Sequence, residues 1–63
     1  MTKIEAIEYA VNAHKHWDED LSLIMERNGN YNAGSWDERE YAEKHGWKFV
    51  GHASDLAREL GLI

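Results

Sequence analysis

Two four-residue stretches do most to limit what this chain can fold into. Thr2-Lys3-Ile4-Glu5 and Ser35-Trp36-Asp37-Glu38 each set a hydroxyl at a helix-cap position and a carboxylate three residues later. In that pattern each side chain takes up a backbone N–H that a helix start leaves unbonded. Asn28-Gly29, His45-Gly46 and Leu60-Gly61 read as left-handed stops, a conformation that glycine enters without a Cβ clash. The chain has no proline, so no ring geometry interrupts a helix between these marks. Together they predict three helices, one long and two short.

At 63 residues the chain has room for one small domain. A chain of this length buries only about 60% of the surface its unfolded form exposes, so such domains lean on a staple. Cysteine is absent, which excludes a disulfide or a thiolate-bound metal. What remains is a metal held by histidine and carboxylate, or a second copy of the chain, and the second copy is expected. Twelve acidic residues against seven basic give a net charge of −5. Lys3, Lys15, Arg27, Arg39, Lys44, Lys48 and Arg58 stand singly, whereas nucleic-acid affinity comes from clustered cations that displace counterions. The overall field would also repel a phosphate backbone. No apolar run reaches membrane-spanning length, and MTKIEAIEYA carries acids where a signal peptide is continuously apolar. These features predict a cytoplasmic protein with no membrane partner.

At 100° per residue, Ile4, Ile7, Ala10, Val11, Ala13, Trp17, Leu21, Ile24 and Met25 fall on one half of a helix over residues 3–28. A stripe that wide suits packing against two neighbours better than a coiled-coil seam. Such a helix would reach roughly 39 Å, against roughly 15 and 12 Å for the later two, so its apolar stripe outruns its own cover. Uncovered apolar surface of this kind marks an interface, and two-fold self-association is the commonest solution. Ile4, Ile7, Val11, His14, Trp17, Leu21, Ile24 and Met25 are the expected interface residues of a homodimer. The alternative is a break near His14–Asp20, where Asp18-Glu19-Asp20 would open a second helix at its positive end.

Residues 29–34, rich in Asn and Gly, are expected to form a loop between antiparallel helices. The second helix covers 36–45, anchored by Trp36 and Tyr41, with Glu40 and Lys44 an exposed pair one turn apart. Residues 46–53 alternate too briefly for a strand with no visible partner, and an unpaired strand leaves its backbone unbonded. They read as an extended connector that buries Trp47 and Phe49 and leads to a third helix over 54–60, capped by Ser54. The chain holds three tryptophans, three tyrosines, one phenylalanine and four histidines, and most of these rings are expected in the core. The expected fold is all-α, a helical hairpin with one long N-terminal helix and two shorter ones, a single domain completed by self-association.

Candidate chemistry is sparse. His14 and Asp18 stand one helical turn apart, a ligand spacing for divalent ions, and His16 with Asp20 repeats it on a neighbouring face. A structural zinc takes four ligands, so the others would have to come from His45, His52 or a second chain. Without them His14 reads as a polar break in the apolar stripe, hydrogen-bonded to Asp18. The carboxylate pairs Glu5/Glu8, Asp18/Asp20 and Asp37/Glu40 fall on solvated faces, and acid–base catalysis needs a pocket that shifts a pKa. No serine or threonine has the setting of a nucleophile. No catalytic residue, cofactor or committed metal site is assigned, and an enzyme is not expected. Residues 53–62, ASDLARELGL, resemble the first helix and turn of a helix-turn-helix, but no recognition helix follows.

From MTKIEAIEYAVNAHKHWDEDLSLIMERNG through NYNAGSWDEREYAEKHGW the chain resembles the small accessory proteins encoded in early regions of lambda-like temperate phages. The resemblance implies a non-enzymatic protein of the host cytoplasm. Such a protein would adjust host physiology or the lysis–lysogeny choice by binding a host or phage protein. That group offers no shared site pattern, so no functional residue is carried over. The expected function is a protein-interaction or regulatory module. A His/Asp metal-binding helical module, and a nucleic-acid regulator built as a helix-turn-helix fragment or an acidic DNA mimic, are the alternatives.

Overall fold

The computed structural model describes residues 1–17 and 22–63, the side chains of 14–17 excepted. The described elements are α1 (Lys3–Trp17), β1 (Leu23–Arg27), β2 (Asn30–Gly34), α2 (Trp36–Lys44), β3 (Lys48–His52) and α3 (Ala53–Glu59). The fold is α+β, which overturns the all-α helical hairpin. Of the helix expected over 3–28, Lys3–Trp17 is helix α1 but Leu23–Arg27 is strand β1, the loop over 29–34 is chiefly strand β2, and the connector over 46–53 is chiefly strand β3.

Asn28-Gly29 explains the largest difference. Both residues have positive φ, 52° and 85°, the conformation of a two-residue turn whose twist matches a pair of strands. The dipeptide closes a β-hairpin instead of stopping a helix, and its strands register from Arg27↔Asn30 to Leu23↔Gly34. On its other edge β1 pairs antiparallel with β3, giving the order β2-β1-β3. Val50 is the extra residue where that register shifts, a β-bulge. The partner that residues 48–52 need does exist, but it lies far upstream in the chain.

β1 is covered on both faces, so Leu23, Ile24 and Met25 form an unbroken buried run with no alternation to mark a strand. On one face Ile24 packs against Ala6, Ile7 and Ala10 of α1 and Ala53 and Ala57 of α3. The alanines let both helices lie close to the sheet, and Val11, Tyr31, Ala33 and Leu56 close the rim. On the opposite face Met25 lies beneath α2. Ile7, Ile24 and Met25, expected at a contact between chains, are therefore buried within one copy. The surplus of apolar stripe on one long rod does not arise, because Leu23–Arg27 of that expected rod is the central strand.

Local signals at the helix ends hold in part. Thr2 N–H donates to Glu5 Oε1 at 2.8 Å and Glu5 N–H donates to Thr2 Oγ1 at 3.2 Å, the reciprocal cap. The bonds from the Thr2 backbone and then its hydroxyl hold the Glu5 carboxyl below the usual carboxylate range. Ser35 does not repeat the cap: its hydroxyl donates to Glu38 Oε1 at 3.1 Å and its side chain bonds no N–H of the first turn. His52, not Ser54, stands at the N-cap of α3. Both later helices end in left-handed glycine caps, with Trp47 N–H donating to Ala42 O at 3.1 Å and Leu62 N–H to Ala57 O at 2.8 Å.

Ile24→Ala should cost about 3 kcal/mol in chemical denaturation, because it empties the contact between both helices and the sheet. A loss below about 1 kcal/mol would contradict that packing. Glu5 gives a pH dependence of known sign. Its folded pKa is lowered, so its contribution is complete above the ordinary carboxylate range and disappears as pH falls through the folded value. Glu5→Gln should therefore reduce the slope of melting temperature against pH on the acid side, and an unaltered slope would contradict the cap.

Candidate functional site

Among the described residues the largest rings lie outside the core. Buried hydrophobic side chains among the described residues are Ala, Ile, Leu and Met, whereas Tyr41 is 69% exposed and Trp36 51%. This corrects the expectation that most rings are core. α2, β3 and the turn between them gather Trp36, Tyr41, His45, Trp47, Phe49 and His52.

Two ring clusters result. Around the first half of α2, the Arg39 guanidinium lies over Phe49 at 4.6 Å and over Trp36 at 5.1 Å, while its Nε donates to Glu43 Oε1 at 2.8 Å. The His52 ring approaches both, 5.7 Å from Trp36 and 5.6 Å from Phe49. Cation–ring attraction here draws the helix onto β3. At the far end of α2, Tyr41 lies 4.3 Å from His45, and Arg27 lies 5.0 Å over Trp47 with its Nη1 donating to the His45 carbonyl at 3.0 Å. The turn needs glycine at position 46 for its φ of +90°, not for space, since a Cβ there would stand 3.5 Å from Arg27 Cδ, an ordinary contact.

Because α2 packs chiefly against β3, it leaves the β2 side of this sheet face open. A groove of about 180 Å³ runs there, floored by Met25, with Asn32 and Gly34 on one wall, Glu38, Tyr41 and His45 on the other, and Trp47 beside them. A Cβ built on Gly34 would meet nothing within 4 Å, so the β2 wall is low. Rings and a thioether offer apolar contact, and Glu38 supplies one charged group.

The remaining candidates fall elsewhere. Asp18, Asp20 and Leu21, with the side chains of His14, His16 and Trp17, lie outside the described residues, and the His14/Asp18 pair lies with them. Among the described residues no group of three or more His, Cys, Asp or Glu is arranged to hold a metal ion. His45 and His52, the possible extra ligands, sit against rings at opposite ends of α2. Of the expected interface residues, Ile4 is 52% exposed and Val11 is half-buried next to Leu62. No helix among the described residues is long and apolar enough to cross a membrane. The groove itself escapes a sequence reading that keeps Met25 on a helix, since only the hairpin brings Met25 and Asn32 opposite Tyr41. Asn-Gly between two short runs was the signal for it.

Comparison of the chain with family models, characterised proteins and solved structures finds no match.

Arg39→Ala should lower stability by about 1 kcal/mol, through loss of its ring contacts, and weaken the near-ultraviolet circular dichroism of the tryptophans. An unchanged band and melting temperature would show that these contacts do not hold α2.

Proposed function

We propose that the chain is a non-enzymatic interaction module that binds a partner protein through the ring-lined groove between α2 and the sheet. The observation that carries this reading is the exposure of Tyr41, 69%, at the lip of the groove in a domain whose core is largely alanine. A small domain is stabilised most by burying its largest rings, so leaving them at the surface forgoes stability that such a domain needs. Tyr, Trp and Arg also dominate contact energies between proteins, and this face carries all three. The singly placed cations and net charge of −5 weigh against a nucleic-acid partner. In keeping with the resemblance to phage accessory proteins, the partner is a host or phage protein.

Self-association is a second reading, on a different surface. Ile4 and Val11 share one side of α1, seven residues apart, and Val11 borders a shallow depression with Leu62. That strip is smaller than a whole-helix stripe and suits a weak contact with a second copy.

Affinity capture from a bacterial lysate tests the first reading with three baits: the natural chain, Tyr41→Ser and Ile4→Ser. A protein retained by the natural chain and by Ile4→Ser, and lost with Tyr41→Ser, is the expected result. Equal retention by all three baits would contradict it. For the second reading, sedimentation of the natural chain should show a concentration-dependent mass that Ile4→Ser abolishes. A constant monomer mass in the natural chain would remove it.

A further inference from the structure

We infer that the groove beside α2 receives the cationic side chain of a basic peptide, a lysine or an arginine, held between the Tyr41 ring and the Glu38 carboxylate. The inference rests on the groove being the protein-binding face and names the chemistry of what enters it.

Charge decides the class of ligand. Glu38 is the one Asp, Glu, Lys or Arg among the described residues lining the groove. The two cations of α2 are matched to other acids, Arg39 to Glu43 at 2.8 Å and Lys44 to Glu40 at 4.0 Å. Glu38 instead receives a neutral donor, the Ser35 hydroxyl at 3.1 Å. A carboxylate beside rings, in a groove with an apolar floor, attracts a cation and repels an anion. The net charge of −5 adds to that attraction over roughly a Debye length of 8–10 Å.

Shape and ring chemistry agree. A lysine or arginine stem can lie along Met25 while its head reaches the rim, the way these side chains cover apolar surface elsewhere. The protein already treats its own cations in this manner, with Arg39 over Phe49 at 4.6 Å and Arg27 over Trp47 at 5.0 Å. Arg27 donates to the His45 carbonyl at 3.0 Å and lies over Trp47, which holds it at that end of the groove, while the Tyr41 ring has His45 4.3 Å away on one side and Glu38 on the same wall.

The test is a nuclear magnetic resonance titration of the isotopically labelled chain with four short peptides, in which glycine alternates with lysine, arginine, Nε-acetyllysine or glutamate. The lysine and arginine peptides should shift the Tyr41, His45 and Trp47 resonances to saturation, and the acetyllysine and glutamate peptides should not. Glu38→Gln should weaken lysine-peptide binding about fivefold, while Glu59→Gln, a charge change on α3, should leave it unchanged. Equal response to acetyllysine, no response to any peptide, or equal weakening by both variants would overturn the inference. If lysate capture depends on Tyr41 but these peptides leave the groove unmoved, the protein-binding reading stands and the cation reading falls. Capture indifferent to Tyr41 removes both.

Discussion

A five-residue strand bonded along both edges and covered on both faces holds this domain together. β1 gives hydrogen bonds to β2 and β3, offers Ile24 to α1 and α3, and rests Met25 beneath α2. β2 and β3 are placed by pairing with this strand, and α1 and α3 by packing on its Ile24. The alanines at positions 6, 10, 53 and 57 follow from it, because two helices must come close to one isoleucine. The bulge at Val50 follows too, since β3 must pair with β1 and then turn at once into α3.

The same arrangement divides the residues unusually. Alanine and aliphatic side chains fill the interior, and Trp36, Tyr41, Trp47 and Phe49 stand on the side that carries α2. Arg39 over Phe49 and the Trp36 ring beside His52 join α2 to β3 there, and Arg27, over Trp47 and bonded to the His45 carbonyl, ties β1 to the end of the helix. The helix so held sits toward β3, and the uncovered half of the sheet becomes a groove. Structure and proposed function thus share a cause: the contacts that fasten α2 at one side are what leave the other side open.

Legibility in the sequence followed locality. The Thr2/Glu5 cap and the glycine stops after α2 and α3 were readable, because each depends on residues within a few positions of one another. The strands were not. Leu23–Arg27 is buried on both faces and shows no period-two pattern, so an apolar run there reads equally well as helix. Asn28-Gly29 serves as a helix stop or a hairpin turn, and the choice depends on whether Tyr31 and Ala33 find a partner strand. Lys48–His52 lacks any local partner at all, since its neighbour precedes it by a helix and a hairpin. Of the groove, only the α2 wall of Glu38, Tyr41 and His45 could be placed on one element. Its floor and second wall exist only once the hairpin does.

Cross-strand nuclear Overhauser effects measure the central arrangement most directly. With Asn28-Gly29 as a two-residue turn, Glu26/Tyr31 and Ile24/Ala33 are the close, non-hydrogen-bonded pairs of the hairpin. Strong Hα–Hα cross-peaks at both pairs are expected in the natural chain. A run of helical contacts between residues three apart across 22–28, with those cross-peaks missing, would contradict the central strand and everything built on it.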